Sequence, residues 1–178
     1  ISNHIGYHSE RYFIENEYAV AVRNRKERMK EMLKEKLRAS EARQFEVMNL
    51  GCGSCREIYE AASWIGQVDK NIHFLCVDQD EEALNFSASR FQSFSPNVRF
   101  DFLTKDVLSL SKDRGPVPRE AFDLVYTIGL ADYFPDRILK KFIAFCIESL
   151  SPGGTCVIAH KDINRYKPLS PEWFCDWT

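Results

Sequence analysis

The segment Asn49-Leu50-Gly51-Cys52-Gly53-Ser54-Cys55 gives the clearest indication of the fold class of this chain. The apolar run at residues 45–50 is typical of a strand that ends at the first glycine, and residues 56–66 are typical of a helix. A Gly-x-Gly between a strand and a helix makes a tight turn, and it lets a ligand lie against bare backbone beside the unpaired N–H groups of the helix N-terminus. The stretch therefore predicts a nucleotide-binding loop in an α/β protein.

Strand-like and helix-like runs alternate along the rest of the chain. Further strands are predicted at residues 71–77, 98–103, 122–127 and 155–160, with helices at 81–92 and 136–150 and a turn at 151–154. This alternation predicts βαβ units in a parallel sheet, and the continuous apolar strands indicate that helices cover both faces. We therefore expect an α/β, Rossmann-like fold with five parallel strands in residues 45–178.

Residues 1–44 are predicted to form a helical segment ahead of the sheet. Apolar residues recur every three or four positions over residues 9–38, which predicts one long helix with Ser9 as its N-cap. Arg25 and Lys26 interrupt the apolar stripe, so we expect the helix to break there or to leave the body of the protein. We interpret the segment as a lid or packing helix.

The residues that follow the glycines separate the classes of nucleotide-binding loop. A dinucleotide fingerprint needs a third glycine where this chain has Arg56, and a P-loop needs a Gly-Lys-Ser/Thr that is absent. Cys52 and Cys55 form a Cys-x-x-Cys, but no second pair and no paired histidines follow it. We therefore interpret the two cysteines as small residues in a tight loop and predict no metal site.

The loop resembles motif I of the class I methyltransferases that depend on S-adenosylmethionine (SAM), whose usual form is an acidic residue, an apolar residue and Gly-x-Gly-x-Gly. Asn49 replaces the acidic residue, so a hydrogen-bond acceptor is kept without its charge. Cys55 replaces the third glycine, and its Cβ removes the left-handed freedom of glycine. The resemblance continues through residues 122–126 and 150–155, and it implies SAM as cofactor and S-adenosylhomocysteine as product.

Acidic residues at the ends of the next two strands fit a bound nucleoside. Asp78, with Gln79 beside it, can accept hydrogen bonds from both ribose hydroxyls of a nucleoside. Asp80 can cap the next helix, so Asp78 is not needed for that role. The resemblance implies that Asp106 accepts from the adenine amino group and that the N–H of Val107 reads a ring nitrogen. Strand ends of a parallel sheet share one edge, so these residues are predicted to form one site with the glycine loop.

The remaining cofactor and catalytic candidates lie on the loop and around the fourth strand. The predicted cofactor contacts are completed by Asn49, Gly51, Cys52, Gly53, Tyr126 and Thr127. Asp132 and Tyr133 follow the fourth strand and are the candidates to meet the acceptor; the alternative is that Asp132 caps the next helix and Tyr133 packs. Trp173, Phe174 and Trp177 are predicted to form core or an apolar acceptor wall.

A narrower resemblance concerns the acceptor. Residues 21–25, 51–57, 129–133 and 176–177 resemble a bacterial group of class I methyltransferases, the extracellular factor (3-hydroxypalmitic acid methyl ester) biosynthesis proteins. This implies O-methylation of a small-molecule carboxylate, an acyl or hydroxy-fatty acid. A carboxylate is already a nucleophile, so no general base would be needed, whereas a hydroxyl or an amine would need one.

The class usually has seven strands, of which the last two form a hairpin, whereas five are visible here. We therefore expect the core to be truncated at its C-terminus, so that an edge of the sheet is bare and a longer natural chain, a partner or self-association covers it. Two other functions stay open at this stage. One is a non-catalytic nucleoside-binding or SAM-binding domain, and the other is an aminopropyltransferase-like enzyme on the same fold.

Composition narrows the class of protein further. The net charge of -2 provides no basic field for a nucleic acid, and no apolar run is long enough to span a membrane. The chain has 6 cysteines, and several of them lie inside apolar runs rather than in a disulfide framework. Together with the lack of a visible secretion signal, this predicts a cytoplasmic protein.

Overall fold

The computed structural model describes residues 5–15 and 17–160, and a single parallel sheet forms its centre. The strands are β1 (Gln44–Leu50), β2 (Asn71–Asp78), β3 (Val98–Thr104), β4 (Phe122–Ile128) and β5 (Leu150–Ala159). They lie in the order β3-β2-β1-β4-β5, and every neighbouring pair is parallel. The predicted α/β fold with five parallel strands is confirmed.

Helices cover both faces of this sheet. They are α1 (Ile5–Glu15), α2 (Glu17–Ala39), α3 (Arg56–Glu60), α4 (Ala62–Ile65), α5 (Glu81–Phe91), α6 (Val107–Leu110) and α7 (Asp136–Ser149), with a 3₁₀ turn at Leu130–Tyr133. Val47 packs in one core cluster with Leu33 of α2, and the next residue of β1, Met48, packs in a second cluster with Phe142 of α7. Burial on both faces explains why β1 and β4 are nearly continuous apolar runs.

The N-terminal helices differ from the prediction in two respects, and ion pairs explain the first of them. Helix α2 continues through Arg25 and Lys26, so the break expected there is wrong. Arg25 pairs with Asp132 at 2.7 Å and Lys26 with Glu60 at 2.6 Å, so the charges that interrupt the apolar stripe hold the helix to the body. Ser9 lies inside α1 and is therefore not an N-cap.

The turn predicted at residues 151–154 is an irregularity inside β5. Phe122 of β4 pairs with Leu150, but Leu124 pairs with Thr155, so residues 151–154 bulge out of the ladder. The strand therefore begins earlier than its sequence indicates, since a glycine- and proline-containing bulge has the same composition as a turn.

The outer strands of the described sheet are β3 and β5. Trp173, Phe174 and Trp177, and the predictions made for them, lie outside the described residues. In the ranges 5–15 and 17–160, none of the helices has the length and apolar character needed to cross a membrane.

Candidate functional site

A cavity of about 620 Å³ opens at the carboxyl ends of the strands. Because β2 and β4 flank β1 on opposite sides, the chain reverses its direction of winding there, and open α/β sheets bind ligands in this crevice. The volume is in the range of small-molecule sites, roughly 300–1,000 Å³. The cavity is therefore the candidate functional site.

Half of the predicted site residues line this cavity. They are Gly51, Asp78, Gln79, Asp106, Val107 and Tyr133. The other predicted residues, which do not line it, are Asn49, Cys52, Gly53, Tyr126, Thr127 and Asp132. Sequence reasoning missed a further set that does: Arg25, Leu108, Ile128, Gly129, Leu130 and Phe134.

Gly51 lines the cavity with a backbone conformation that residues other than glycine rarely adopt. Its φ is +65°, and a Cβ at this position would lie 3.0 Å from Cδ2 of Leu130. The N–H groups of Gly51 and Cys52 both donate to the carbonyl of Val77, at 2.9 and 3.1 Å. The loop is therefore pinned to the end of β2, and a side chain at residue 51 would both strain the turn and displace Leu130.

The two acidic residues at the strand ends are held by backbone N–H groups. Asp78 accepts from the N–H of Gly53 at 2.7 Å and from that of Asp80 at 3.0 Å, which ties the glycine loop to β2. Asp106 caps α6 by accepting from the N–H groups of Leu108 and Ser109. Each carboxylate keeps further lone pairs, so both can still accept hydrogen bonds from a ligand.

Asp80 caps α5, as expected, through the N–H groups of Glu82 and Ala83. It therefore does at α5 what Asp106 does at α6, although Asp80 does not line the cavity. Substitutions at Asp80 and Asp106 can therefore separate the effect of losing a helix cap from the effect of losing a ligand contact.

Cys55 adopts the left-handed conformation that was expected to be lost with glycine, at φ 46° and ψ 39°. This costs about 1–2 kcal/mol in a residue with a Cβ. The Cys55 thiol is buried with those of Cys52 and Cys76, and its hydrogen bond with Cys52 is the main cause that raises the pKa of Cys52. Among the described residues, no group of His, Cys, Asp or Glu side chains is arranged to hold a metal ion.

A buried carboxylate that the sequence reasoning missed lies behind the glycine loop. Oε1 of Glu57 accepts from Nδ2 of Asn49 at 2.8 Å and from the hydroxyl of Tyr126 at 2.7 Å, and all these side chains are buried. Burial raises the pKa of Glu57 to about 7. These contacts place Asn49 and Tyr126 in the core rather than at the cavity. The only signal for Glu57 in the sequence is its position in the Arg-Glu pair that follows the loop.

Asp132 joins the 3₁₀ turn to the N-terminal helix. Its side chain has no exposed area, and its Oδ2 accepts from Nη1 of Arg25 at 2.7 Å. Nδ1 of His160 lies 3.4 Å from the other carboxylate oxygen. Pro135, not Asp132, is the N-cap of α7, so the capping alternative is wrong. Arg25 itself reaches the cavity, as does the exposed Tyr133.

The chain is similar in sequence to one protein family. The profile of the methyltransferase domain family matches residues 47–154, which is more than half of the chain and runs from β1 into the bulge of β5. No curated protein matches the chain.

Solved structures show the same fold at low sequence identity. A possible exported protein from Bordetella parapertussis superposes with a TM-score of 0.68 at 22% identity, covering 84% of this chain and 46% of that one. A SAM-dependent methyltransferase from Archaeoglobus fulgidus gives 0.50 at 15% identity, covering 84% and 56%. A Haemonchus contortus phosphoethanolamine N-methyltransferase, in complex with phosphoethanolamine and S-adenosylhomocysteine, gives 0.50 at 20%, covering 64% and 22%. The chain thus spans about half, or less, of the length of these proteins.

Proposed function

Because this chain belongs to the methyltransferase domain family, we propose that it transfers the methyl group of SAM to a small-molecule acceptor. The observation that carries the proposal is the cavity at the switch point of the sheet, which the matched domain surrounds with Asp78 and Asp106 at one end. When bound, SAM supplies a methyl group that its sulfonium already activates. The protein then has to hold the two reactants in line and exclude water.

The β2 and β3 end of the cavity fits the adenosine part of this cofactor. Asp78 would accept from the ribose hydroxyls, with Gln79 beside it, and Asp106 from the adenine amino group. Val107 begins α6, so no carbonyl within that helix accepts from its N–H, which is therefore available to a ring nitrogen. Leu108 supplies an apolar wall there.

The β4 end of the cavity fits an acceptor with an apolar part. Ile128, Leu130 and Phe134 line it, and Tyr133 lies at its exposed rim. We propose that Tyr133 contacts the acceptor and that the acceptor is a fatty-acid carboxylate. Asp132 would not act on the acceptor directly, because its carboxylate is buried against Arg25; it would position Arg25 instead.

Methyl transfer tests this proposal. The protein is incubated with SAM bearing a trideuterated methyl group and 3-hydroxypalmitate, and the lipid fraction is analysed by mass spectrometry. We expect a deuterated methyl ester that is absent without protein. Binding of S-adenosylhomocysteine without transfer to any carboxylic acid would instead support the non-catalytic alternative.

We also propose that the protein is cytoplasmic and that copies of it associate through an outer strand. The second proposal rests on the outer strand of the sheet, which carries unpaired backbone groups that can pair with another chain. Light scattering after size-exclusion chromatography would show a dimer if copies associate, and fractionation of the source cells would show where the protein resides.

A further inference from the structure

Arg25 is a cation in the wall of the cavity. Its side chain is 15% exposed and lines the cavity with Gly51 and Gly129. Among the charged residues described in that wall, the others are Asp78 and Asp106, at the β2 and β3 end. The cavity therefore has an acidic end and, beside β4, an end lined by the guanidinium of Arg25, which is paired with Asp132.

The guanidinium of Arg25 has hydrogen-bonding capacity that the described residues do not use. Nη1 donates to Asp132, but Nε is buried and has no partner among these residues. A buried donor without a partner is uncommon and calls for an explanation such as a ligand. A planar guanidinium is suited to a carboxylate, because two parallel N–H groups can meet its two oxygens.

The surroundings hold the guanidinium in place. Asp132 fixes one side of it, and that carboxylate has no exposed area. On another side, a Cβ added to Gly129 would lie 3.4 Å from Nη2, and the φ of +87° at Gly129 also favours glycine. The backbone thus leaves room for the guanidinium where a larger residue would crowd it, and a fixed donor loses little freedom when a ligand binds.

We propose that Arg25 binds a carboxylate at the β4 end of the cavity. The inference rests on the proposed function, which offers two sources of this group: the amino-acid part of the cofactor and a carboxylic acid acceptor. Apolar Ile128 and Leu130 stand beside Arg25 in the wall, so either ligand would have its carboxylate paired in surroundings with little competing water.

Calorimetry on three ligands tests this inference and separates the sources. Arg25→Gln and Arg25→Lys are titrated with S-adenosylhomocysteine, with methylthioadenosine, which lacks the amino-acid carboxylate, and with 3-hydroxypalmitate in saturating S-adenosylhomocysteine. Arg23→Gln is the matched control, because Arg23 is exposed on the same helix and donates to the carbonyl of Ile14. Thermal unfolding shows which variants fold, and Arg25→Lys keeps a charge opposite Asp132 if Arg25→Gln unfolds.

If the cofactor supplies the carboxylate, the Arg25 variants bind S-adenosylhomocysteine roughly tenfold to a hundredfold more weakly and methylthioadenosine as wild type does. If the acceptor supplies it, only the affinity for 3-hydroxypalmitate falls. Equal losses for all three ligands, or no loss in any folded variant, would overturn the inference while leaving the proposed function in place. A wild-type protein that binds none of the three would overturn both.

Discussion

One pair of carboxylates lines the cavity and a second pair does not, and the two pairs are held in the protein in opposite ways. Asp78 ends β2 and Asp106 lies just beyond β3, and both line the cavity and are held by backbone N–H groups. The carboxylates of Glu57 and Asp132 are buried, do not line the cavity and accept hydrogen bonds from side chains of distant elements. The first pair can accept hydrogen bonds from a ligand. The second pair joins distant parts of the chain, since Tyr126 donates to Glu57 and Arg25 to Asp132. An acid near a strand end can contact a ligand only if its own partners leave it facing the cavity.

The largest effect on stability is expected at Asp132. Asp132→Ala leaves the guanidinium of Arg25 buried without its partner, so we expect a loss of about 3–5 kcal/mol in the free energy of unfolding. Urea denaturation measures this loss. The matched control is Glu15→Ala, which breaks the exposed pair with Arg11 and should cost less than about 1 kcal/mol. A similar loss of stability in both variants would show that the Asp132–Arg25 pair stabilises the protein no more than an exposed ion pair does.

Glu57 should make stability depend on pH. Its pKa is raised by burial from 4.5 to about 7, so the folded state holds a proton that the unfolded state releases. The associated stability is fully present below about pH 4.5, falls as pH rises and is lost above about pH 7, a change of roughly 3 kcal/mol. Urea denaturation across this range measures it. Glu57→Gln should remove this component, and an unchanged pH profile in that variant would assign it to other groups.

Asp78 should affect binding more than stability. Asp78→Ala removes an acceptor for the ribose hydroxyls, so we expect S-adenosylhomocysteine to bind about 1–3 kcal/mol more weakly. Calorimetric titration provides the measurement. Asp69→Ala is the control, because Asp69 is exposed and precedes β2 at the opposite end of the sheet. The same loss in both variants would show that the effect does not come from the cavity.

The smallest effect is expected at Asp106. Asp106→Ala removes the cap of α6, and Asp80→Ala removes the equivalent cap of α5, so each should lower stability by about 1 kcal/mol. Affinity for S-adenosylhomocysteine should fall only for Asp106→Ala, because Asp80 does not line the cavity. Thermal unfolding and calorimetry on the two variants check both expectations. Unchanged affinity in Asp106→Ala would leave Asp106 with a capping role alone.

The sheet and the acidic end of the cavity could be predicted because their signals are local. Each strand contains an apolar or β-branched run that marks it in the sequence, and Asp78 and Asp106 lie at or just beyond the strands that position them. The parallel arrangement then brings the strand ends together without further information. The loop glycines also carry their own signal, since Gly51 needs a positive φ.

The rest depends on contacts between residues far apart in sequence. Asp132 and Arg25 are separated by 107 positions, and Tyr126 and Glu57 by 69, so no spacing in the sequence links them. The sequence predicts that the helix breaks at Arg25 and Lys26 or leaves the body there, because a charge in an apolar stripe has the same appearance whether it faces water or a buried partner. The buried partner, Asp132, determines that Arg25 packs against the body, and only the folded chain brings the two residues into contact.

Calorimetric titration of the wild-type protein with S-adenosylhomocysteine tests whether the cavity is a cofactor site. We expect one binding site per chain and an affinity that falls in Asp78→Ala but stays at the wild-type value in Asp69→Ala. Absence of binding to the folded wild-type protein would contradict this expectation, because the cavity at the switch point would then not be a cofactor site.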